Sequence, residues 1–252
     1  MRGRGVLVAA VSLVLLAAES WAQDRAELWG RCESADTKGD DRYASCTALI
    51  DSGREPERRL AVAFYHRGLL YRLDEQDKAI ADQSEAIRRD PRFVDAYVAR
   101  GQAYTGKREY DRAIHDFDEA IRLDSKESLA FVYRGEAYAR KEKYVEAIRD
   151  FDEAIRLNPD LSRAYDMRGQ AYRDSGQDEK AWRTNPNALA IGCAVLTKDG
   201  KTHEALEYCN DALQIWPRSS FALWLRGRLH LLAGRLEAAS IDFDRAVRIH
   251  PS

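Results

Sequence analysis

Apolar positions recur along most of this chain at helical spacings, and the clearest instance is the stretch Lys126–Pro159. In its first half Phe131, Gly135 and Tyr138 are spaced four and three apart, which puts them on one face of a helix. In its second half Ala147, Phe151 and Ala154 do the same, with Ile148 and Ile155 widening the stripe. The polar run Lys141–Lys143 separates the two patterns, and Asn158-Pro159 closes the second, because proline cannot continue a helix and pushes its predecessor out of helical geometry. The pattern predicts a helical hairpin. Gly135 and Ala147 are small where two helices must approach closely, while Tyr138 and Phe151 supply volume.

The spacing repeats before and after this stretch. Arg-Gly recurs at Arg67-Gly68, Arg100-Gly101, Arg134-Gly135, Arg168-Gly169 and Arg226-Gly227, followed three residues later by Tyr71, Tyr104, Tyr138, Tyr172 or His230. Twelve residues after the glycine stand Ala113, Ala147, Ala181 and Ala239, and the first copy reaches Ala79 after eleven. Prolines close copies at Pro91, Pro159, Pro186, Pro217 and Pro251. A 34-residue period with this large–small–aromatic order resembles the tetratricopeptide repeat (TPR) family, over about Arg58 to Pro251. The resemblance implies an all-α fold, an α-solenoid of antiparallel helix hairpins stacked in a right-handed superhelix. Its repeats would run 58–91, 92–125, 126–159, 160–186, 187–217 and 218–251, within an array ending at 252.

The array is uneven. From Ala147 to Asn158 is eleven residues but from Ala181 to Asn185 only four, so the repeat 160–186 lacks about two turns of its second helix. The next repeat carries Cys193 where glycine is expected. Gly176, Gly200 and Gly234 each fall seven residues after the Gly or Cys position, where a left-handed helix cap belongs.

Ahead of the array, Arg2 and Arg4 precede an apolar run of 13 residues, Val6–Ala18, and the small residues of Ser20-Trp21-Ala22. A helix of that length reaches about 20 Å, short of the roughly 30 Å bilayer core. Residues 1–22 therefore read as a cleaved secretory signal, which makes the mature protein exported, periplasmic or extracellular. Residues 23–57 read as a degenerate hairpin with Leu28, Trp29 and Cys32 on one helix and Tyr43, Cys46, Leu49 and Ile50 on the next. Four cysteines in an exported chain allow three pairings, and the repeat selects Cys32–Cys46 and Cys193–Cys209, each across the turn of one hairpin.

Charge adds little. Forty Lys and Arg against 42 Asp and Glu leave a formal net charge of −2 and no electrostatic footprint for nucleic acid. No Cys-x-x-Cys, ligand-spaced histidine pair or Ser/His/Asp arrangement emerges, so neither catalysis, cofactor nor metal is expected. The recurring Arg100, Arg134 and Arg168 are expected to pair with Asp82, Asp116, Asp150 or Asp242, which recur three residues after the alanine. By the TPR resemblance the first helices line a concave groove. It would show Val98, Gln102 and Thr105, then Val132 and Glu136, then Asp166, Gln170 and Arg173, with Phe221, Trp224 and Arg228 in the last repeat. Trp224 is either an anchor in that groove or a residue buried against its neighbour. The expected role is a noncatalytic exported scaffold for a protein or peptide. The alternative is a structural subunit that self-associates or docks through the faces around Leu236, Ile241 and Val247.

Overall fold

The structure, a computed structural model, describes residues 23–72, 74–177, 180, 181, 184 and 186–249; the expected signal segment lies outside them. The described residues are helical or turn, with no strand, and form two compact bodies, Met1–Asp124 and Ser125–Ser252. The fold is an all-α helical solenoid. In the first body a helix over 23–33 (α1) precedes α2 (Gly39–Asp51), α3 (Glu57–Gly68), α4 (Gln76–Arg89), α5 (Val94–Gly106) and α6 (Tyr110–Leu123). The second holds α7 (Ser128–Arg140), α8 (Tyr144–Leu157), α9 (Ser162–Asp174), α10 (Pro186–Lys198), α11 (Thr202–Ile215), α12 (Ser220–Leu232) and α13 (Leu236–Ile249). Most of the expected second helix of the repeat 160–186 lies outside the described residues.

Consecutive helices pair, and within each body a second helix also packs on the following first helix, as α4 does on α5 and α8 on α9. The cores are built from small residues: Ala113, Ala120, Ala147 and Ala154 are fully buried. A glycine permits the closest approach. A Cβ on Gly135 would lie 2.8 Å from the Phe151 ring, on Gly101 2.6 Å from Phe117, and on Gly227 2.7 Å from Phe243. Those distances leave no room for a methyl beside the fully buried rings of Phe117 and Phe151. Gln83 replaces the phenylalanine against Gly68, and its Nε2 donates to the Tyr65 carbonyl at 3.1 Å. At the start of the first body, Arg42 donates to His66 Nδ1 at 2.9 Å, tying α2 to α3. Burial, with the neighbouring Arg42 charge adding to it, holds His66 below its ordinary pKa, consistent with a neutral ring accepting that bond.

In five of the hairpins the turn is a left-handed cap. Gly176, Gly200 and Gly234 have φ of +75°, +75° and +72°. The same position in the two most regular hairpins holds Arg108 (φ 61°) and Glu142 (φ 59°) instead. The amide of Lys143 donates to the Tyr138 carbonyl at 3.0 Å and that of Glu142 to Ala139 at 2.9 Å, the doubled pattern of a Schellman motif. A side chain in this region costs about 1 kcal/mol relative to glycine. Glu142→Gly is expected to raise the unfolding free energy by about 1 kcal/mol in urea titration, even though it enlarges the unfolded ensemble.

Candidate functional site

The most ordered polar feature lies one residue before each wedge glycine. Arg100 Nε and Nη2 donate to the two oxygens of Asp116 at 2.8 and 2.7 Å. Arg134 grips Asp150 at 2.8 and 2.6 Å, Arg226 grips Asp242 at 2.7 Å twice, and Arg67 grips Asp82 at 2.7 and 2.8 Å. The four aspartates are at most 5% exposed. Each pair joins the first helix of a hairpin to its second, and in three of them the spare nitrogen reaches the preceding hairpin: Arg67 to Thr47 at 3.4 Å, Arg100 to Ser84 at 3.1 Å, Arg226 to Asn210 at 2.9 Å. The Asp82 bond holds the Arg67 guanidinium above its usual pKa; for Arg100 burial works against protonation, but the bond and charge of Asp116 prevail. Arg168 departs from the pattern. Where its aspartate would stand it donates to the Thr184 carbonyl, and its other arm takes Asp152 of the preceding helix, both at 2.6 Å.

Two hairpins lack this pair and hold disulfides. Cys193–Cys209, with Cα atoms 5.4 Å apart, lies at the helix positions that Gly101 and Phe117 occupy elsewhere. Gly192 and Tyr208 then take the places of the arginine and aspartate, and a Cβ on Gly192 would meet the Tyr208 ring at 2.6 Å. Cys32–Cys46 (Cα–Cα 4.9 Å) bridges α1 to α2, with Cys46 at the same place in its helix as Phe117 in α6. All four cysteines are fully buried. The Gly192–Tyr208 substitution was not legible beforehand, because the Arg-Gly signature is absent there.

The groove candidates separate on inspection. In the first body Val98 is half-buried, Gln102 exposed, and the Thr105 hydroxyl bonds back to the Gly101 carbonyl at 2.9 Å. In the second body Val132 is a correction: it is fully buried and presents nothing to a groove. It sits one turn before Glu136, where α9 lies against α7 and Arg163 grips the Glu136 carboxylate at 2.6 and 2.8 Å. Asp166 is half-buried, and Gln170 and Arg173 are exposed and bond to each other at 2.7 Å. Phe221 is 49% and Trp224 45% exposed, so Trp224 is not buried against its neighbour; the exposed Arg228 guanidinium lies 4.8 Å over its ring. His230 is held below its usual pKa by burial, partly offset by Asp242 and reinforced by Arg235 and Arg226. Among the described residues no group of three His, Cys, Asp or Glu side chains could hold a metal, and no helix is long and apolar enough to cross a membrane.

The sequence profile described as tetratricopeptide repeat matches residues 69–125, 98–162 and 195–252, together more than half of the chain. The chain belongs to the tetratricopeptide repeat family. Among solved structures, a TPR protein from Parabacteroides merdae aligns over 90% of this chain and 94% of its own at 18% identity, with a TM-score of 0.56. YrrB, described as a TPR protein with an unusual peptide-binding site, aligns over 82% and 93% at 21% identity, TM-score 0.45. The pilF protein of Pseudomonas aeruginosa aligns over 81% and 95% at 20% identity, TM-score 0.43. What the Parabacteroides structure shares with this chain is the fold. No curated protein sequence matches.

In this TPR chain the arginine clamp is structural by geometry, being spent on aspartates inside the hairpin. Arg134→Ala would leave Asp150 buried without its two-pronged partner, and removing one member of such a pair costs roughly 3 kcal/mol. Denaturant titration of Arg134→Ala is expected to show a loss of that order, with Arg134→Lys intermediate because an ammonium cannot bind both oxygens as a fork.

Proposed function

We propose that the chain is a noncatalytic, exported TPR scaffold that binds a protein or peptide on the face formed by its first helices. The observation that carries this reading is the trio Phe221, Trp224 and Arg228 on α12. A soluble helix gains nothing from leaving two large aromatic side chains half in water beside a stacked guanidinium, whereas this combination is enriched among residues that dominate binding energy. Among the described residues no carboxylate pairs with Arg228, so its charge is available to an acidic group of the partner. The equivalent positions of α5 and α9 hold Gln102, Gln170 and Asp166, which supports reading the last hairpin as the anchor. Export is supported by the leader-like segment 1–22 and by two disulfides, which persist in oxidising compartments.

A second reading has its own observation. Leu236, Ile241 and Val247 on α13 are 67%, 54% and 61% exposed, a face suited to self-association or to docking on an envelope complex.

Peptides selected from a random library on residues 23–252 test the first reading. Trp224→Ala and Arg228→Ala are each expected to weaken selected peptides at least about tenfold, the loss of a modest hot spot, while leaving the melting temperature within a degree. Equal affinity for variants and parent, or no enrichment at all, would overturn it. A mass that rises with concentration in the parent and not in Ile241→Asp would favour the second reading instead.

A further inference from the structure

In every hairpin that carries the arginine clamp with a described predecessor in the same body, the clamp position also meets the second helix of the hairpin before it. Arg100 reaches Ser84, and Arg226 reaches Asn210, each sixteen residues earlier in the chain. That second helix is the lid on the next first helix. For α10 the lid is deficient: Asn185, just before α10 begins at Pro186, stands only four positions after Ala181, whereas Asn158 stands eleven after Ala147. Arg168 confirms the shortfall from the other side, since it bonds the backbone carbonyl of Thr184 where its relatives find an aspartate.

The exposed surface has changed to match. At the clamp position α10 carries Gly192 and α11 carries Tyr208, so nothing charged projects where Arg and Asp would. Ile191 and Val195 are 56% and 53% exposed and Tyr208 41%. With Gly192 and Leu196 they line an open, mainly apolar depression of about 490 Å³. Gly192 makes room for the Tyr208 ring to lie flat against α10, and α10 itself contains no acidic residue. The missing seven residues correspond to about two turns, or roughly 10 Å of helix.

We propose that this depression is a docking site for an apolar-faced α-helix of a partner protein, which lies where the absent turns of the preceding second helix would lie and completes the stack on α10. The interface it extends is the one already repeated inside the chain, second helix on following first helix, with the charged clamp replaced by a glycine–tyrosine floor that accepts aliphatic side chains. The site is separate from the Phe221–Trp224–Arg228 anchor and does not rest on it.

The chain supplies its own probe. A helix-constrained, fluorescently labelled peptide of residues 144–159, the intact second helix, is titrated into residues 23–252 under oxidising conditions. Saturable binding is expected, with affinity falling at least tenfold for Val195→Asp and for Ile191→Lys. Trp224→Ala should bind as the parent does, which separates this site from the anchor on α12. A control peptide carrying Ile148→Asp and Ile155→Asp should not bind. Because both α10 substitutions are at exposed positions, unchanged melting checks that the hairpin is intact; Val195→Thr, nearly isosteric, serves if either variant unfolds and should weaken binding less. Absence of saturation, equal binding to the α10 variants, or competition by a second copy of the chain detected as a dimer would overturn the proposal.

Discussion

A buried two-pronged bond between an arginine on one helix and an aspartate on the next is the contact on which these hairpins depend. A guanidinium can present Nε and Nη2 to both oxygens of a carboxylate only if the two groups are nearly coplanar, so the bond fixes the axial and rotational register of the helices together. The adjacent residue is the wedge glycine, and the adjacent residue on the partner helix is the phenylalanine that fills it, as in Gly135 and Phe151. Register set by charge and closeness set by shape therefore act at one level of the hairpin. Desolvating two ions offsets much of what they gain, which makes specificity of register the larger part of their contribution.

The two disulfide-bonded hairpins show that the constraint can be met by other chemistry. Cys193–Cys209 holds α10 to α11 at the glycine–phenylalanine positions, and Cys46 marks the equivalent place in α2. Closing a loop of this length restricts the unfolded chain by about 3 kcal/mol in the loop-entropy account. A covalent bond needs no charge beside it, which leaves the clamp positions at Gly192 and Tyr208 open to change. In α10 and α11 the loss of the charged pair coincides with a short stretch, Ala181 to Asn185, ahead of the hairpin.

The repeat, the arginine–aspartate pairing, the cysteine pairs and the three glycine caps were all legible in the residues, because each depends on periodicity that survives in a single sequence. The left-handed turns at Arg108 and Glu142 were not: a Lys-Glu-Lys run carries no glycine to announce them, and the doubled backbone bonds around the turn impose the conformation. Val132 was misplaced for a related reason. Helical spacing puts it in line with Trp224, but exposure is decided by the next first helix, and α9 reaches over that part of α7 through Arg163 and Glu136. The open face at Ile191 and Val195 was invisible as a site, since an apolar helix such as α10 reads as core until the helix that should cover it is found wanting.

If the two locks are alternatives for the same constraint, they should be exchangeable. The most direct measurement is backbone hydrogen exchange in α10 and α11, with and without a dithiol reductant, for the parent and for the fourfold variant Gly192→Arg, Cys193→Gly, Tyr208→Asp, Cys209→Phe. The account predicts that reduction strips protection from this hairpin in the parent before α12 and α13 open. The variant should keep its protection in both conditions. A variant hairpin that stays unprotected even without reductant, or a parent hairpin indifferent to reduction, would contradict it.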